Sequence, residues 1–563
     1  MSAKTIQYTF QDVTVPSELI TGALENVSPV VLKILYKRGY RTAEALTHVL
    51  FDDIEWSLSH TALKDIERAV PLLQRAIMEK SQIVVYQDYD VDGCAASALC
   101  LEALRQVGAT VHNYVNHREI DGYGICIHGI DCILSRYPDT KLIMTVDNGI
   151  VAHEAIAYAK EKGLAVIVTD HHAPGETLPP ADAVIDPKRI DETYPFPELC
   201  GTGVAFKVML ALYNSLGEDI TAVQHTLDLV ALATVADIVP LIGENRVLVR
   251  EGLRMMNQHP RPAFRMMCEL LNIQKINAHT TIAFQFSPMI NALSRMGVDA
   301  DIAVQIFLET REDILRRQVM KLIALNEQRK EETKRETEIA RTMIDEDNLP
   351  SAIILENDSF QEGIIGIVAG RLMNLYHRPV IICSPGKEGI LKASCRSVEG
   401  FHIKEQLDKV ADLLLVYGGH AKAAGFSIRR ENFSAFREAL LQLSDTVDPK
   451  TWIDKRELDA VLDIRQVSVP FIQTLQQLEP FGEGNPQPLF GLCYTYNTIQ
   501  FFGADKQHVR YQSNSYPLTI LEWQGAERER KRHAQGKKRC KAIGVLELNE
   551  YNGRVSPQFR IIN

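Results

Sequence analysis

The sequence lacks the cysteine pattern of a disulfide-bonded or zinc-binding protein. Its ten cysteines are scattered, with no CxxC pair and no regular spacing, so neither a disulfide framework nor a zinc ribbon is expected. No run reaches the ~18 uninterrupted apolar residues that span a bilayer, because the closest, LDLVALATVADIVPLI, is interrupted by Asp237. The first residues, MSAKTIQYTFQDV, lack the charged-then-apolar form of a secretory signal. We therefore expect a cytoplasmic protein with no membrane association.

An excess of positive charge is also absent, which argues against a generally basic nucleic-acid coat. The 563 residues carry a formal net charge of −11, with 46% hydrophobic and 24% charged residues, as in soluble globular domains. Local basic tracks remain compatible with that total, because binding follows the local field. The most basic stretch, 527–543, is either a solvated hairpin tip or such a track. Its basic residues are Arg528, Arg530, Lys531, Arg532, Lys537, Lys538, Arg539 and Lys541.

The first half of the chain changes its hydrophobic pattern near residue 82. Residues 1 to about 75 have helical periodicity, whereas short apolar runs then alternate with helices. These runs are IVVYQ, TVHNYV, LIMTVD, AVIVTD and DAVID. Such alternation indicates βαβ units and a mostly parallel sheet, so the predicted fold class is α/β. Ligands of open α/β sheets bind at the carboxyl ends of the strands.

The second half predicts three further parts. A Glu-, Lys- and Arg-rich stretch, 321–347, suits a solvent-exposed connecting helix. A second, smaller α/β region follows, and the last ~110 residues carry short strands that predict a β-barrel. The predicted domains are therefore 1–320 (N-terminal helices and a catalytic domain), 321–347 (connecting helix), 348–450 (smaller α/β domain) and 451–563 (β-barrel).

Four acid-containing segments follow apolar runs or lie within one. They are DYDVDG, TVDNG, VTDHH and TVADIVP, which contribute Asp88, Asp90, Asp92, Asp147, Asp170, His171, His172 and Asp237. Clustered carboxylates repel one another unless a positive charge compensates. Carboxylates with one or two imidazoles suit Mn²⁺ or Mg²⁺, and two such ions ~3.5 to 4 Å apart can clamp a phosphoryl group. The pattern therefore predicts a two-metal phosphoryl-transfer site.

Each segment alone has a structural interpretation. An Asp at a strand-to-helix junction, such as Asp92, is usually a helix N-cap, and VDNG is usually a turn. Asp237 is harder to explain in this way, because a buried unpaired carboxylate is costly. The joint occurrence of all four segments, in order, favours the metal site.

The four segments in this order resemble the motif pattern of the DHH phosphoesterases. Over nearly the whole chain the resemblance is to the RecJ branch, the single-stranded-DNA exonucleases. DGYGI, CGTGVAFK and LATVADIVPL are similar to RecJ segments, GIIGIVAGRL, HRPVIICS and YGGHAKAAGFSI to the DHH-associated domain, and LEPFGEGNPQPLF to the lead-in of an oligonucleotide-binding barrel. The implied architecture is a DHH domain, a connecting helix, a DHH-associated domain and that barrel.

The resemblance implies roles for the acidic motifs. It assigns two Mn²⁺ or Mg²⁺ ions to Asp88, Asp90, Asp92, Asp147, His171 and Asp237. Asp147 would bridge the ions, and Asp88 would either bind directly or support a neighbouring ligand. Asp170 would orient His171, and His172 would face the scissile phosphate as a charge stabiliser or proton donor.

Phosphate contacts are implied for two further groups. Gly418, Gly419 and His420 would approach a phosphate near the metals. Arg118, Arg295, Ser394 and Arg396 match positions that grip the 5′-terminal phosphate, a role that suits the bidentate guanidinium. The chain departs from the family pattern at Met289, which replaces a cationic side chain, and at Gln361, which replaces a histidine.

The implied activity is hydrolysis of single-stranded DNA from the 5′ end, with release of 5′-mononucleotides, in DNA repair and recombination. Base stacking in the barrel would use Phe501, Phe502, Tyr511, Tyr516 and Trp523, about half of which are expected to be core. We expect a monomer that works with a helicase or a single-strand-binding protein. Two alternatives are a DHH phosphodiesterase for short oligonucleotides or cyclic dinucleotides, and an inactive binding protein at a replication or recombination complex. The barrel argues against the first, and the complete set of motif aspartates against the second.

Overall fold

The computed structural model describes residues 4–53, 63–116, 121–122, 124–534, 539–551 and 553–562. The contacts divide the chain into two compact units. The first comprises Met1–Gln7, Leu58–Asp237 and Glu251–Asp454, and the second comprises Tyr8–Ser57, Ile238–Arg250 and Lys455–Asn563. Within the described ranges no helix is both long and apolar enough to cross a membrane.

The described residues before the first large sheet include one short strand and three α-helices. They are β1 (Ile6–Thr9), α1 (Pro29–Lys37), α2 (Ala43–Phe51) and α3 (Ile66–Met78). Thr42 begins α2 as its N-cap, because its hydroxyl accepts a hydrogen bond from Ala45 N.

A five-stranded parallel sheet, ordered β3-β2-β4-β5-β6, forms the centre of the first unit. Its strands are β2 (Gln82–Gln87), β3 (Thr110–Val115), β4 (Thr140–Val146), β5 (Ala165–Thr169) and β6 (Ala183–Ile185). The crossover helices are α4 (Val91–Gln106), α5 (Ile127–Arg136) and α6 (His153–Glu161). The α/β class is confirmed, and the five apolar runs of the sequence are these five strands.

Helices follow the sheet. They are α7 (Gly201–Leu216), α8 (Thr221–Gln224), α9 (Leu227–Ala236), α10 (Gly243–Gln258), α11 (Pro262–Leu271), a π-helical segment (Ala278–Phe286), α12 (Ser287–Ile290), α13 (Ala292–Arg295), α14 (Asp301–Leu308) and α15 (Glu312–Thr342). Helix α15 begins nine residues before the predicted start at 321, because EDILRRQVM already has helical periodicity with Leu315 and Val319 buried. It is not wholly solvated, since Arg329 and Glu336 are buried.

The smaller α/β region forms a mixed five-stranded sheet, ordered β10-β11-β9-β8-β7. Its strands are β7 (Ile353–Glu356), β8 (Val380–Pro385), β9 (Ile390–Arg396), β10 (Val416–Gly419) and β11 (Ala423–Arg429). Its helices are α16 (Glu362–Tyr376), α17 (Ile403–Asp408) and α18 (Phe433–Asp445). Only β7 and β8 are parallel, and two separate hydrophobic clusters pack in this region.

The second unit is built around a seven-stranded, mostly antiparallel sheet, ordered β13-β14-β18-β19-β17-β16-β15. After β12 (Asp454–Glu457), the elements are β13 (Ala460–Asp463), α19 (Val469–Leu475), β14 (Phe490–Thr495), β15 (Thr498–Phe502), β16 (His508–Gln512), β17 (Thr519–Glu522), α20 (Ala526–Ala534), β18 (Arg539–Tyr551) and β19 (Arg554–Ile561).

One hydrophobic core in this unit joins residues from both ends of the chain. Leu24, Val31 and Leu35 pack in the same cluster as Phe490 and Phe559. The N-terminal helices α1 and α2 therefore belong with the C-terminal sheet, although their sequence position led us to group them with the catalytic domain. Hydrophobic periodicity identifies a buried helical face but not the element that covers it.

The basic stretch near 530 is a helix where it is described, not a hairpin tip. Helix α20 docks through Glu529, which is fully buried, accepts from Tyr496 and pairs with Arg532. Arg528 pairs with the buried Glu522 in the same way. Two of the predicted DNA-binding arginines are therefore engaged in internal ion pairs. Lys537 and Lys538 lie outside the described residues.

Candidate active site

The predicted acidic residues come together at the carboxyl end of the parallel sheet. Asp88, Asp90 and Asp92 follow β2, Asp147 follows β4, and Asp170, His171 and His172 follow β5. Asp237 lies at the C-terminal end of α9. Adjacent parallel strands all end at this edge, so Asp88 and His172, which are 84 positions apart in sequence, share one site.

Donor atoms of these side chains form three overlapping groups, within each of which they lie within 4.8 Å of one another. The groups are Asp88, Asp90 and Asp147; Asp92, His171 and Asp237; and Asp147, His171 and His172. Asp147 and His171 each occur in two groups. Through these two residues the three groups form one continuous set of metal-ligating side chains.

His171 provides a test of whether these residues fit a metal. Its Nε2 lies 3.1 Å from Asp147 Oδ1 and 3.5 Å from Asp237 Oδ2. Within the described part of the chain neither ring nitrogen makes a hydrogen bond, although His171 is buried. Burial lowers its pKa to about 4, so the ring is neutral at physiological pH. A neutral imidazole among carboxylate oxygens is a donor set that suits Mn²⁺ or Mg²⁺.

The carboxylates show the electrostatic cost of their proximity. Burial and the charges of Asp92 and Asp90 raise the pKa of Asp147 well above its usual range, and the same causes raise the pKa of Asp237. Asp147 also has a φ of 62°, a left-handed conformation that non-glycine residues rarely adopt. Strain and charge crowding at one residue are typical of functional sites.

The three aspartates of DYDVDG have different local environments. Asp90 is the N-cap of α4, and its Oδ1 accepts from Asp92 N at 2.8 Å. Both Asp92 oxygens accept hydrogen bonds from the N-terminus of α7, at 2.7 Å from Gly201 N and 2.7 Å from Thr202 N. Asp88 is buried against Gly93, where a Cβ would lie 2.4 Å from Asp88 O. The N-cap that we considered for Asp92 is thus Asp90.

Asp170 orients His172 in the structure, whereas we expected it to orient His171. Its Oδ1 lies 2.7 Å from His172 Nδ1, and its contact with His171 is a hydrogen bond from the backbone N–H at 2.7 Å. Burial opposes ionisation of Asp170, but the hydrogen bond and charge of His172 outweigh it and hold the Asp170 pKa below its usual range. Burial likewise lowers the pKa of His172, but Asp170 more than compensates and raises it to about 9.

Three residues of the expected 5′-phosphate group gather around the first turn of α16. A Cβ at Gly363 would lie 1.9 Å from Arg295 O, and a Cβ at Gly366 would lie 2.9 Å from Ser394 Oγ and 3.1 Å from an Arg396 nitrogen. At Gly363 the neighbouring atoms are backbone, so only glycine permits that approach. Arg396 donates to Ser394 Oγ at 3.3 Å and to Cys395 O at 2.8 Å. It makes no ion pair with a carboxylate in the described ranges.

Other predicted residues are placed differently. Arg118 lies outside the described residues. Gly418, Gly419 and His420 lie at the exposed end of β10, and no contact with the acidic residues joins them there among the described side chains. Met289 is buried, so it fills core volume where a cation was expected. Gln361 is the N-cap residue of α16, and its N–H donates to Glu336 at 3.0 Å.

The barrel aromatics divide between core and surface. Tyr511 is fully buried, with its hydroxyl 2.5 Å from Glu522, and Phe501 and Tyr516 are partly buried against the same core. Trp523 is 45% exposed and packs edge-on against Phe502 at 5.5 Å. Fewer aromatic side chains are thus exposed for base stacking than the sequence alone suggested.

Sequence reasoning missed Asp186, which directly follows a strand as Asp88, Asp147 and Asp170 do. It follows β6, is fully buried, and accepts from Lys188 N at 2.7 Å. Burial and the charge of Asp170 raise its pKa to about 7. The signal was present, because DAVID is an apolar run that ends in an acid like the other motif segments.

Comparisons with known proteins agree with this architecture. Family models match at three places: the DHH family, N-terminal domain, at residues 82–234, the DHHA1 domain at 349–444, and the RecJ OB domain at 458–563. The chain is 35% identical to the single-stranded-DNA-specific exonuclease RecJ of Escherichia coli over 496 residues, which are 84% of each chain. The chain belongs to the RecJ family.

Two further relatives extend the match. RecJ of Bacillus subtilis is 32% identical over 544 residues, which cover 95% of this chain and 68% of the relative. The crystal structure of RecJ from Thermus thermophilus in complex with Mn²⁺ superimposes with a TM-score of 0.82, at 28% identity, and covers 99% of this chain and 79% of that one. The RecJ fold, with its DHH, DHHA1 and OB parts, is therefore confirmed.

Proposed function

We propose that this RecJ-family chain is a metal-dependent exonuclease that degrades single-stranded DNA from the 5′ end and releases 5′-mononucleotides. The observation that carries the proposal is the set of three donor groups that are linked to one another through Asp147 and His171. Membership of a family named for single-strand-specific exonucleases supports the substrate. The seven-stranded sheet in the RecJ OB region argues against the short-oligonucleotide alternative, which would not need that surface.

The proposed metal ligands are Asp88, Asp90, Asp92, Asp147, His171 and Asp237. The oxygen-rich donor set and the absence of hydrogen bonds to the His171 ring among the described residues support this assignment. Bound Mn²⁺ or Mg²⁺ would polarise the scissile phosphate and activate water. Asp147 is the proposed bridge between two ions, because its donor oxygens occur in two of the groups.

The chain's own residues would position the substrate. His172, held by Asp170 and partly exposed, is the proposed hydrogen-bond donor to the phosphate. Arg295, Ser394 and Arg396 would receive the 5′-terminal phosphate at the first turn of α16. Gly418, Gly419 and His420 remain proposed backbone and side-chain contacts to an internal phosphate, and Arg118 a further 5′-phosphate contact.

Polarity would follow from the phosphate pocket. A 5′-terminal phosphate carries more negative charge than an internal diester, so the Arg295 and Arg396 guanidiniums would favour that end. We also propose that the protein is a cytoplasmic monomer. Because the proposed enzyme acts on single strands, duplex DNA would become a substrate only after a helicase has separated it. A single-strand-binding protein would hold the separated strand.

The test is digestion of single-stranded DNA labelled at the 5′ or the 3′ end, with Mn²⁺, with Mg²⁺, or with excess EDTA. We expect immediate release of the 5′ label as mononucleotide, late release of the 3′ label, and loss of both in EDTA. A blunt duplex of the same sequence should be digested much more slowly. Digestion from the 3′ end, or equal rates on blunt duplex, would contradict the proposal.

A further inference from the structure

A second cluster of reactive side chains lies on α5, outside the acidic site. Asp121 Oδ1 lies 2.6 Å from His128 Nδ1, and His128 Nε2 lies 3.6 Å from Cys132 Sγ. His128 and Cys132 are four residues apart on one helix, so their side chains share a face. The Asp121 carboxyl group is only 5% exposed, whereas Cys132 is half-buried and accessible.

The three groups are arranged as a nucleophile (Cys132), a base (His128) and an acid that orients the base (Asp121). The Asp121 carboxylate accepts a hydrogen bond from the Nδ1–H group of His128. This tautomer leaves the lone pair of Nε2 directed at the thiol. Tyr114 is also close to this group, because burial and then the neighbouring Cys132 raise the pKa of its phenol. The thiol therefore lies beside a base, with a phenol nearby.

The remaining cysteines provide the comparison. Six of the ten are buried, and burial raises the pKa of Cys100, for example, to about 12. Cys268 and Cys493 are half-buried like Cys132. Within the described part of the chain, Cys132 is the one cysteine with an imidazole nitrogen at hydrogen-bond distance.

We propose that Cys132 is a modification site, a thiol that hydroperoxides oxidise to a sulfenic acid. The sulfur attacks one peroxide oxygen, the O–O bond breaks, and His128 transfers the thiol proton to the departing oxygen. Hydrogen peroxide is thereby reduced to water, and the sulfur loses two electrons. No other co-reactant is required.

The cluster is connected to the acidic site through the turn before α5. In this turn Ile125 N donates to Asn148 Oδ1 at 3.0 Å, and Gly124 O accepts from Asn116. Asn148 directly follows Asp147 and also donates to Val146 O at 2.9 Å. An oxygen added to Cys132 disturbs the His128–Asp121 pair that anchors this turn. Oxidation should therefore lower the exonuclease activity, a consequence that rests on the proposed function.

The experiment measures modification and activity separately. The intact enzyme is treated with low hydrogen peroxide and then with dimedone, which traps sulfenic acids, and each cysteine peptide is quantified by mass spectrometry. We expect Cys132 to be trapped at least tenfold faster than Cys268 or Cys493, and the variants H128Q and D121N to lose most of that advantage. His128 is 64% exposed, so H128Q should fold normally.

Activity on single-stranded DNA is then compared for wild type and C132S before and after peroxide. We expect equal activity before treatment, a severalfold loss in wild type afterwards, and retention in C132S. Labelling of Cys132 no faster than Cys268, or unchanged in H128Q, overturns the reactive site. Fast labelling with no loss of activity overturns the link to Asp147. Absence of activity before any treatment refutes the proposed function instead, and leaves the labelling result intact.

Discussion

Gly201 lies against Asp147 so closely that a Cβ at Gly201 would stand 2.7 Å from Asp147 Oδ1 and 2.6 Å from Asp147 Cβ. The same Gly201 donates its N–H to Asp92 Oδ2 at 2.7 Å. One glycine at the start of α7 therefore sets the position of two proposed metal ligands. Both contacts are made by the backbone of Gly201. Even a methyl group at this position must therefore displace Asp147 or Asp92.

The variant Gly201→Ala should lower kcat/KM on single-stranded DNA by roughly a hundredfold, because displaced ligands bind metal poorly. Overpacking should also cost about 1–3 kcal/mol of stability. Gly203→Ala, in the same helix, is the matched control, since its Cβ would make only an ordinary contact of 3.4 Å with Leu199. Mn²⁺ titration by calorimetry and kcat/KM are the measurements. Equal behaviour of the two variants would contradict the role of Gly201.

Asp147→Asn tests the proposed bridging ligand. We expect kcat to fall by roughly a thousandfold, about 4 kcal/mol of transition-state stabilisation. In EDTA the variant should be at least as stable as wild type, because it removes a buried carboxylate that Asp92 and Asp90 repel, which are causes of the raised Asp147 pKa after burial. Asp139→Asn, at an exposed position, is the control. Near-normal activity of Asp147→Asn would exclude the two-metal arrangement.

The acidic site could be predicted from sequence because its geometry is a property of parallel sheets. Asp88, Asp147 and Asp170 each end an apolar run, and parallel strands bring such ends to one edge whatever their separation in sequence. Asp186 obeys the same rule, although it was not among the predicted residues.

Other features depend on contacts that no local pattern encodes. Predicting the hydrogen bonds from α7 to Asp92 would require the positions of backbone atoms that are distant in sequence. Predicting the pairing of Asp170 with His172 would require the geometry of the turn between them. The packing of α1 and α2 with the C-terminal sheet, and of Glu529 under α20, requires knowledge of which apolar faces meet. Periodicity identifies faces, and only the folded chain pairs them.

We predict that the stability of the folded protein depends on pH through Glu336 on α15. It is buried, its Oε1 accepts from Gln361 N at 3.0 Å, and among the described residues its Oε2 makes no hydrogen bond. Burial raises its pKa from 4.5 to about 7. Between those values the folded state binds more protons than the unfolded state, so this group's contribution to stability falls as pH rises from about 4.5 to 7.

Glu336→Gln should remove this dependence. We expect little difference from wild type at pH 4.5 and a higher thermal midpoint for the variant at pH 8, with a gain of at most about 3 kcal/mol. Glu331→Gln, exposed on the same helix, is the control and should leave the profile unchanged. The measurement is the thermal midpoint from pH 4.5 to 8 in EDTA. A constant difference across that range would refute the burial argument.

We predict that Trp523 makes the affinity for single-stranded DNA depend on strand length. It is exposed beside Phe502 and His508, whereas Tyr511 is buried, so Trp523 is the aromatic best able to stack on a base. Trp523→Ala should weaken binding of long single strands by about 1–3 kcal/mol and leave the cleavage of very short oligonucleotides unchanged. Tyr516→Ala, whose ring is partly buried in the core, should lower stability instead. Affinity measured against strand length distinguishes the two effects.

Arg396→Ala tests the polarity of the enzyme. The guanidinium is held by Ser394 Oγ and Cys395 O beside Gly366, in the first turn of α16, and burial lowers its pKa. Such a group gains most from the doubly charged terminal phosphate, and loss of one charge-assisted contact should cost ~1.5–3 kcal/mol. We therefore expect Arg396→Ala to lower kcat/KM about tenfold to a hundredfold on 5′-phosphorylated strands and much less on 5′-hydroxyl strands, with unchanged Mn²⁺ affinity. Arg437→Ala, exposed on α18, is the control. If wild type ignores the 5′-phosphate, the buried Met289 that stands in place of a cation marks a changed specificity, and the end-recognition role of Arg396 is wrong.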